Sequence, residues 1–151
     1  MVLNLTLNAP PFSINKAYYR RGNRTTEYRE WTQNIHDQLD SFSDEITAFR
    51  EAFAPTKHAL SVRIIHFLPS SKLYTKSGKI SRRSKDLSNV EKTLIDVLFD
   101  PRYFKRGFST LNLDDTFIVN LNSFKRESPI GEFYISVAIQ LIPLEKSRSN
   151  P

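Results

Sequence analysis

The chain has 151 residues, of which 39% are hydrophobic and 25% charged, a composition typical of a folded domain and not of a disordered chain. It contains no cysteine, which excludes disulfide bonds, thiolate metal sites and cysteine nucleophiles. The formal net charge of +6 favours polyanionic partners. The sequence shows neither a signal-peptide pattern nor an apolar run near the ~20 residues that span a bilayer, so we expect a soluble, intracellular protein without a membrane partner.

The first half of the chain predicts two strands around a long helix. Residues 2–8 alternate apolar and polar side chains, as a half-buried strand does, and Pro10-Pro11 end it. Residues 26–53 carry apolar side chains at helical spacing and predict one helix that Pro55 closes. Residues 58–69 predict a second strand, with one face formed by Leu60, Val62, Ile64 and His66.

The second half predicts a basic arm, a helix and two strands. We expect a loop or hairpin arm at 70–85, a helix at about 88–99, an irregular segment, strands at 116–124 and 132–142, and a polar tail at about 144–151. The order β-α-β-α-β-β predicts a single α+β domain over residues 1–151, with a small mixed or antiparallel sheet packed against two helices.

Two clusters of basic residues mark candidate DNA-binding surfaces, because such clusters contact phosphates independently of sequence. The arm carries Lys72, Lys76, Lys79, Arg82, Arg83 and Lys85. The segment before the first helix carries Lys16, Arg20, Arg21, Arg24 and Arg29, interleaved with Tyr18, Tyr19 and Tyr28 as stacking surfaces. The alternative for the arm is a solvated loop that only keeps the protein soluble.

The arm leads into the acidic segment KDLSNVEKTLIDVLFD, residues 85–100. Ser88, Lys92 and Asp96 are four residues apart and share one polar stripe of the predicted helix. Another face, which must be buried, is formed by Val90, Leu94, Val97 and Leu98. Carboxylates are the ligands that Mg²⁺ prefers, so this stripe, with Asp114-Asp115 closing on it, favours a metal-dependent phosphodiesterase site.

The alternative interpretation of the same segment is purely structural. The stretch from Ser88 to Glu91 fits a capping box, in which the serine caps the helix start and the glutamate reaches back to it. Lys92 and Asp96 would then form an ordinary exposed ion pair.

Together these motifs resemble the RusA-type Holliday-junction resolvases. The family motif Asp-x-Asp-Asn-x-x-Lys, a later Asp, and an Asp-Asp pair before a strand correspond here to Asp86-Leu-Ser88-Asn89-Val-Glu-Lys92, Asp96 and Asp114-Asp115. The family's N-terminal element corresponds to Pro10-Pro11, Asn15 and Tyr18-Tyr19-Arg20. The resemblance covers residues 3–142, with the same order of elements.

The resemblance implies a homodimer that nicks two strands of a four-way DNA junction symmetrically, with Mg²⁺ or Mn²⁺, in recombination or repair. It implies a setting in the cytoplasm of a bacterial or phage-infected cell. Asp86 and Asp115 would be catalytic, metal-binding carboxylates, and Lys92 the catalytic lysine that stabilises charge on the phosphate. Asn89, Asp96 and Asp114 would orient the ligands.

Two departures from the family pattern leave alternatives open. Ser88 stands where the family has its second carboxylate; its hydroxyl can coordinate Mg²⁺ as a metal ligand, but it brings no charge to the metal. Glu91, which starts about 60° away around the helix, is a candidate replacement ligand. Without such a replacement, the chain would be a weak or inactive junction-binding protein. A general single-strand binder, with no preference for branched DNA, is a third alternative.

The second departure is that residues 101–112 are longer than the usual connection in the family. They carry Arg102, Lys105 and Arg106, which either extend the DNA contact or only decorate a loop.

Overall fold

A computed structural model describes residues 1–145, which contain four strands and five α-helices. Their bounds are β1 Val2–Leu7, α1 Thr26–Leu39, α2 Ser43–Ala52, β2 His58–Leu68, α3 Ser70–Leu73, α4 Leu87–Phe99, α5 Pro101–Lys105, β3 Ile118–Glu127 and β4 Tyr134–Pro143. All but the first two residues of the predicted polar tail at 144–151 lie outside the described part of the chain.

The four strands form one mixed sheet in the order β1-β4-β2-β3. β4 is antiparallel to both of its neighbours, whereas β2 and β3 are parallel, so β4 inserts between two strands that precede it in the chain. The predicted apolar face of β2 is confirmed, since Leu60, Val62, Ile64 and His66 are all buried. The α+β class with a small mixed sheet is therefore confirmed.

α1 and α4 contribute to the same hydrophobic core as the sheet. From α4 the core receives Val90 and Leu94 through the face that the spacing predicted, and the Thr93 hydroxyl donates to the Phe12 carbonyl at 2.6 Å. The imidazole of His36, on α1, donates from Nε2 to the Val97 carbonyl at 3.1 Å. These contacts give α4 a fixed orientation and leave its polar stripe facing outward.

The prediction of a single helix at 26–53 is wrong. The chain leaves α1 through a short 3-10 turn at Asp40–Phe42 before it enters α2. At this break the Ser41 hydroxyl donates to the Gln38 carbonyl at 2.7 Å, a local bond of the kind that competes with continued α-helix. Apolar spacing continues across the break, and it therefore gave no sign of the turn.

Several other bounds differ from the predictions, including the end of β3, at Glu127 and not 124, and the start of β4, at Tyr134 and not 132. Residues 70–73 form α3 within the predicted arm, and residues 101–105 form α5 within the predicted irregular segment. α5 has Pro101 in its first turn and Asp100 at its N-cap, where the carboxylate accepts from the Arg102 backbone N–H at 2.9 Å. β3 begins at Ile118 and not at 116, because Asp115–Phe117 form a 3-10 turn.

No helix within residues 1–145 is both long enough and apolar enough to cross a membrane.

Candidate functional site

The N-terminus of α4 carries the first acidic motif. Asp86 is the N-cap residue, and its exposed carboxylate accepts no backbone N–H of the helix. Instead it accepts a hydrogen bond from the Asn89 side-chain amide at 3.5 Å. The capping-box prediction is wrong, because the helix begins one residue before Ser88, which lies exposed within the first turn. Ser88 is therefore not needed to start the helix, and its hydroxyl is accessible beside Asp86.

The backbone before Asp86 has an unusual conformation. Lys85 has φ of +67°, a region that a residue with a Cβ rarely adopts. The ammonium of Lys125, on β3, donates to the Lys85 carbonyl and to the Ser84 hydroxyl, each at 2.9 Å. Lys125 therefore ties the sheet to the peptide that leads into the motif. Sequence reasoning missed this residue, because the strand predicted at 116–124 ends before it and β3 extends to Glu127.

His66 lies on β2 directly beside Lys125 in the strand register. It is 1% exposed, and neither of its ring nitrogens has a hydrogen-bond partner among the described residues. Burial lowers the pKa of His66 to about 4, with the Lys125 charge acting in the same direction. The imidazole is therefore neutral at physiological pH.

Glu91 and Lys92, in the middle of α4, have side chains in different surroundings. The Glu91 carboxylate accepts a hydrogen bond from the Ser123 hydroxyl on β3, so it faces the sheet. Lys92 is exposed and forms no ion pair with Asp96 within residues 1–145. The predicted ion pair between them is wrong, and the Lys92 ammonium points to solvent on the same exposed stripe as Ser88.

The C-terminal half of α4 opens onto a pocket of about 230 Å³. Its lining includes four carboxylates, from Asp96, Asp100, Asp114 and Asp115. Asp114 and Asp115 thus lie against α4, the helix whose polar stripe they were predicted to approach.

Two of these four carboxylates have other partners. Asp100 pairs with the Arg102 guanidinium at 2.6 Å, which lowers the pKa of Asp100 below its usual range. Asp114 caps the following turn by accepting from the Thr116 backbone N–H at 2.9 Å, which lowers its pKa as well. The other two, Asp96 and Asp115, have neither an ion pair nor a capping hydrogen bond of this kind among the described residues.

The pKa of Asp96 is raised, in contrast to the lowered pKa values of Asp100 and Asp114. Burial raises the pKa of Asp96, the Lys92 charge lowers it, and the nearby charges of Asp100 and Asp115 raise it. A divalent cation between Asp96 and Asp115 would relieve this like-charge repulsion. The donor set is all oxygen, which suits Mg²⁺ or Mn²⁺.

The structure does not bring the two predicted metal carboxylates together at one end of α4. Asp86 caps the N-terminus of the helix, whereas Asp115 lies against its C-terminal half. Asp86 and Asp96 are ten positions apart, which corresponds to about 15 Å along a helix axis. In addition, residues 1–145 contain no group of three or more acidic or histidine side chains arranged to hold a metal ion.

The two basic clusters meet in space at the motif. Lys16, from the first cluster, lies near Lys85, from the arm, and its charge adds to the effect of burial in lowering the pKa of Lys85. The arm folds back on itself through a bridge between Tyr74 and Ile80. The remaining basic residues of the arm are exposed, namely Lys72, Lys76, Lys79, Arg82 and Arg83.

The N-terminal basic cluster is also largely on the surface. Tyr18 and Tyr19 are 43% and 55% exposed, so both rings present surface on which bases can stack, although the Tyr18 ring also meets the Tyr28 ring at a centroid distance of 5.7 Å. Tyr28 does not fit this prediction, because it is buried and stacks on Phe12 and Trp31 as a core residue. Arg20 and Arg21 are exposed in the turn that follows, and Arg24 is partly exposed.

No protein-family model matches the chain, and no curated protein matches it either.

Proposed function

We propose that the protein is a metal-dependent, structure-selective endonuclease of the RusA type that nicks four-way DNA junctions. The observation that carries the proposal is the packing of Asp114-Asp115 against α4, the helix that also presents Asp86, Lys92 and Asp96. Motifs that are distant in the sequence thereby share one rigid element, which suits a preorganised site.

The basic surface supports the choice of DNA as substrate. Lys16 and Lys85 bring the two basic clusters next to Asp86, at the start of α4. A phosphodiester held on this surface would lie beside the exposed side chains of Ser88 and Lys92. Exposed tyrosines at positions 18 and 19 add stacking surfaces for unpaired bases at a branch point.

Each residue has a distinct role in the proposal. Asp115 and Asp96 would hold a divalent cation at the C-terminal end of the stripe, and Asp86 would supply a carboxylate at its N-terminal end. When bound, Mg²⁺ or Mn²⁺ would polarise a phosphate oxygen and promote ionisation of water. Lys92 stabilises negative charge on the phosphate. A two-fold homodimer, in the cytoplasm of a bacterial or phage-infected cell, would present one such site to each of two opposing strands.

The direct test is cleavage of a synthetic four-way junction against a linear duplex of the same sequence, with Mg²⁺ or Mn²⁺. We expect paired nicks in the junction only. The variant Lys92→Ala should bind the junction as the wild type does and should fail to nick it. If the wild type cuts no junction with either metal, across several junction sequences, the proposal is wrong.

A second candidate function, a junction-binding protein with little or no nuclease activity, has its own support. Ser88 replaces a carboxylate beside Asp86, Glu91 faces Ser123 and not solvent, and Asp86 lies far from Asp115 along α4. Such a protein would bind the junction tightly with or without metal and leave it uncut.

A further inference from the structure

A separate basic pocket lies between α1 and the segment that follows α4. It has a volume of about 420 Å³, and three guanidinium groups line it, from Arg24, Arg29 and Arg106. Its other lining residues are Thr32, Gln33, His36, Tyr103 and Phe108. None of the acidic residues discussed above contributes to it.

The three arginines form no ion pair with any described residue, although the charge of Arg24 helps to lower the pKa of Asp100. The one ion pair within residues 1–145 joins Arg102 to Asp100, so Arg24, Arg29 and Arg106 are left without a carboxylate within 4.0 Å. Three unpaired guanidinium groups around one concavity attract an anion strongly, because their fields add and low-dielectric walls focus them. Their planar forks match the oxygens of a phosphate in pairs.

The floor of the pocket is rigid and aromatic. His36 stacks on Phe108, with ring centroids 4.4 Å apart, and meets the edge of Tyr103 at 4.5 Å. The Cζ atom of Arg24 lies 4.9 Å from the centre of the Tyr103 ring, so this guanidinium is held in place before any ligand arrives. Preorganisation of this kind reduces the entropy lost on binding.

The floor also offers polar groups. Thr32 is 4% exposed, and its hydroxyl interacts with the Tyr103 phenol without forming a hydrogen bond of normal geometry. A phosphate oxygen that reaches the floor would give this hydroxyl an acceptor. Burial lowers the pKa of His36, although the hydrogen bond that its Nε2–H donates to the Val97 carbonyl acts in the opposite direction.

We propose that this pocket binds the phosphate group of a phosphate ester, through Arg24, Arg29 and Arg106 at its rim and Thr32 at its floor. The inference deepens the proposed function and rests on it for the identity of the preferred ligand, a backbone phosphate of the DNA strand. It also assigns a purpose to the longer segment at 101–112, which supplies Arg106, Tyr103 and Phe108. A free nucleotide offers the same chemistry and is the alternative source.

Two measurements test the proposal, neither of which requires cleavage. The first is junction affinity in the absence of divalent metal, by fluorescence anisotropy at several salt concentrations. Arg29→Gln and Arg106→Gln should each weaken binding severalfold and reduce the slope of log K against log salt by about 0.9 per lost phosphate contact. Lys57→Gln removes the same charge from an exposed site outside both basic clusters and should leave affinity and slope unchanged. Equal losses in Arg106→Gln and Lys57→Gln would contradict a DNA contact at the pocket.

The second measurement is a titration of ¹⁵N-labelled protein with inorganic phosphate and, separately, with a 5′-mononucleotide. We expect saturable shifts of the Thr32 and His36 amide signals, which the double variant Arg29→Gln/Arg106→Gln abolishes. Shifts without any change in junction affinity would assign the pocket to a free phosphate ester. Absence of both effects overturns the inference. A wild type that binds phosphate here and yet cuts no junction would sink the proposed function alone.

Discussion

The Lys125 ammonium donates to the Lys85 carbonyl at 2.9 Å, and it thereby connects the outermost strand of the sheet to the residue before the N-cap of α4. Lys85 adopts its positive φ under this restraint. The start of the candidate site therefore depends on a side chain forty residues further along the chain.

The first prediction concerns this connection. Lys125→Met should lower the free energy of unfolding by about 1.5–3 kcal/mol, because it removes charge-assisted hydrogen bonds to the Lys85 carbonyl and the Ser84 hydroxyl. Urea unfolding measures the loss. Lys76→Met, at an exposed position of the arm, is the matched control and should change stability by less than about 0.5 kcal/mol. Equal effects of the two variants would contradict the role assigned to Lys125.

The second prediction concerns pH dependence. The pKa of His66 is about 4 in the folded protein, against 6.5 for an unperturbed histidine, so the unfolded chain binds the additional proton between these values. His66 therefore makes stability fall as pH decreases from about 6.5 to about 4. His66→Leu should remove this contribution and should be more stable than the wild type at pH 5, by roughly 1–3 kcal/mol, because it also removes two unpartnered buried nitrogens.

Urea unfolding of both proteins from pH 4 to 7 gives the difference between their free energies of unfolding at each pH. The contributions of carboxylates, which both proteins share, cancel in this difference. A constant difference across that range would show that His66 does not titrate as described.

The third prediction concerns the acidic pocket. Burial and the charges of Asp100 and Asp115 raise the pKa of Asp96, so its ionised form is disfavoured in the folded state. Asp96→Asn should therefore raise the thermal midpoint of unfolding at pH 7. It should also raise the Mg²⁺ concentration that is needed for half-maximal junction cleavage. Asp37→Asn, at an exposed position of α1, should leave both unchanged.

Calorimetry and a Mg²⁺ titration of the nicking rate measure the two effects. A lower midpoint for Asp96→Asn would contradict the repulsion inferred in the pocket.

The fourth prediction concerns Ser88. Ser88→Asp restores the carboxylate of the family motif next to Asp86, and we expect at least a tenfold gain in nicking rate. A negative charge in the first turn of a helix should also raise stability, by about 0.3–1 kcal/mol. Ser43→Asp places the same charge in the first turn of α2 and should share the gain in stability without the gain in cleavage.

The nicking rate of a labelled junction and urea unfolding give the two readouts. A rate that stays equal to that of the wild type would mean that a carboxylate at position 88 takes no part in cleavage.

The spacing of apolar residues was sufficient to predict most strands and helices. An element that buries one face carries apolar residues at the repeat of that element, which is two in a strand and about 3.6 in a helix. The strand at 58–68 and the buried face of α4 were predicted in this way. The same signals failed at Asp40–Phe42, where a local hydrogen bond ends α1 while the apolar spacing continues. The start of α4 was also predicted incorrectly. Asp86 and Ser88 are both residue types that cap helices, and in the structure Asp86 occupies the N-cap position.

The sequence by itself determined the charges, the ligand types and the order of the motifs. Tertiary structure alone decided which of these groups meet. It placed Asp115 beside Asp96, Lys16 near Lys85, Lys125 on the Lys85 carbonyl, and Arg106 in one pocket with Arg24. Contacts of this kind depend on how helices pack on the sheet and how strands are ordered within it, and a one-dimensional period contains neither.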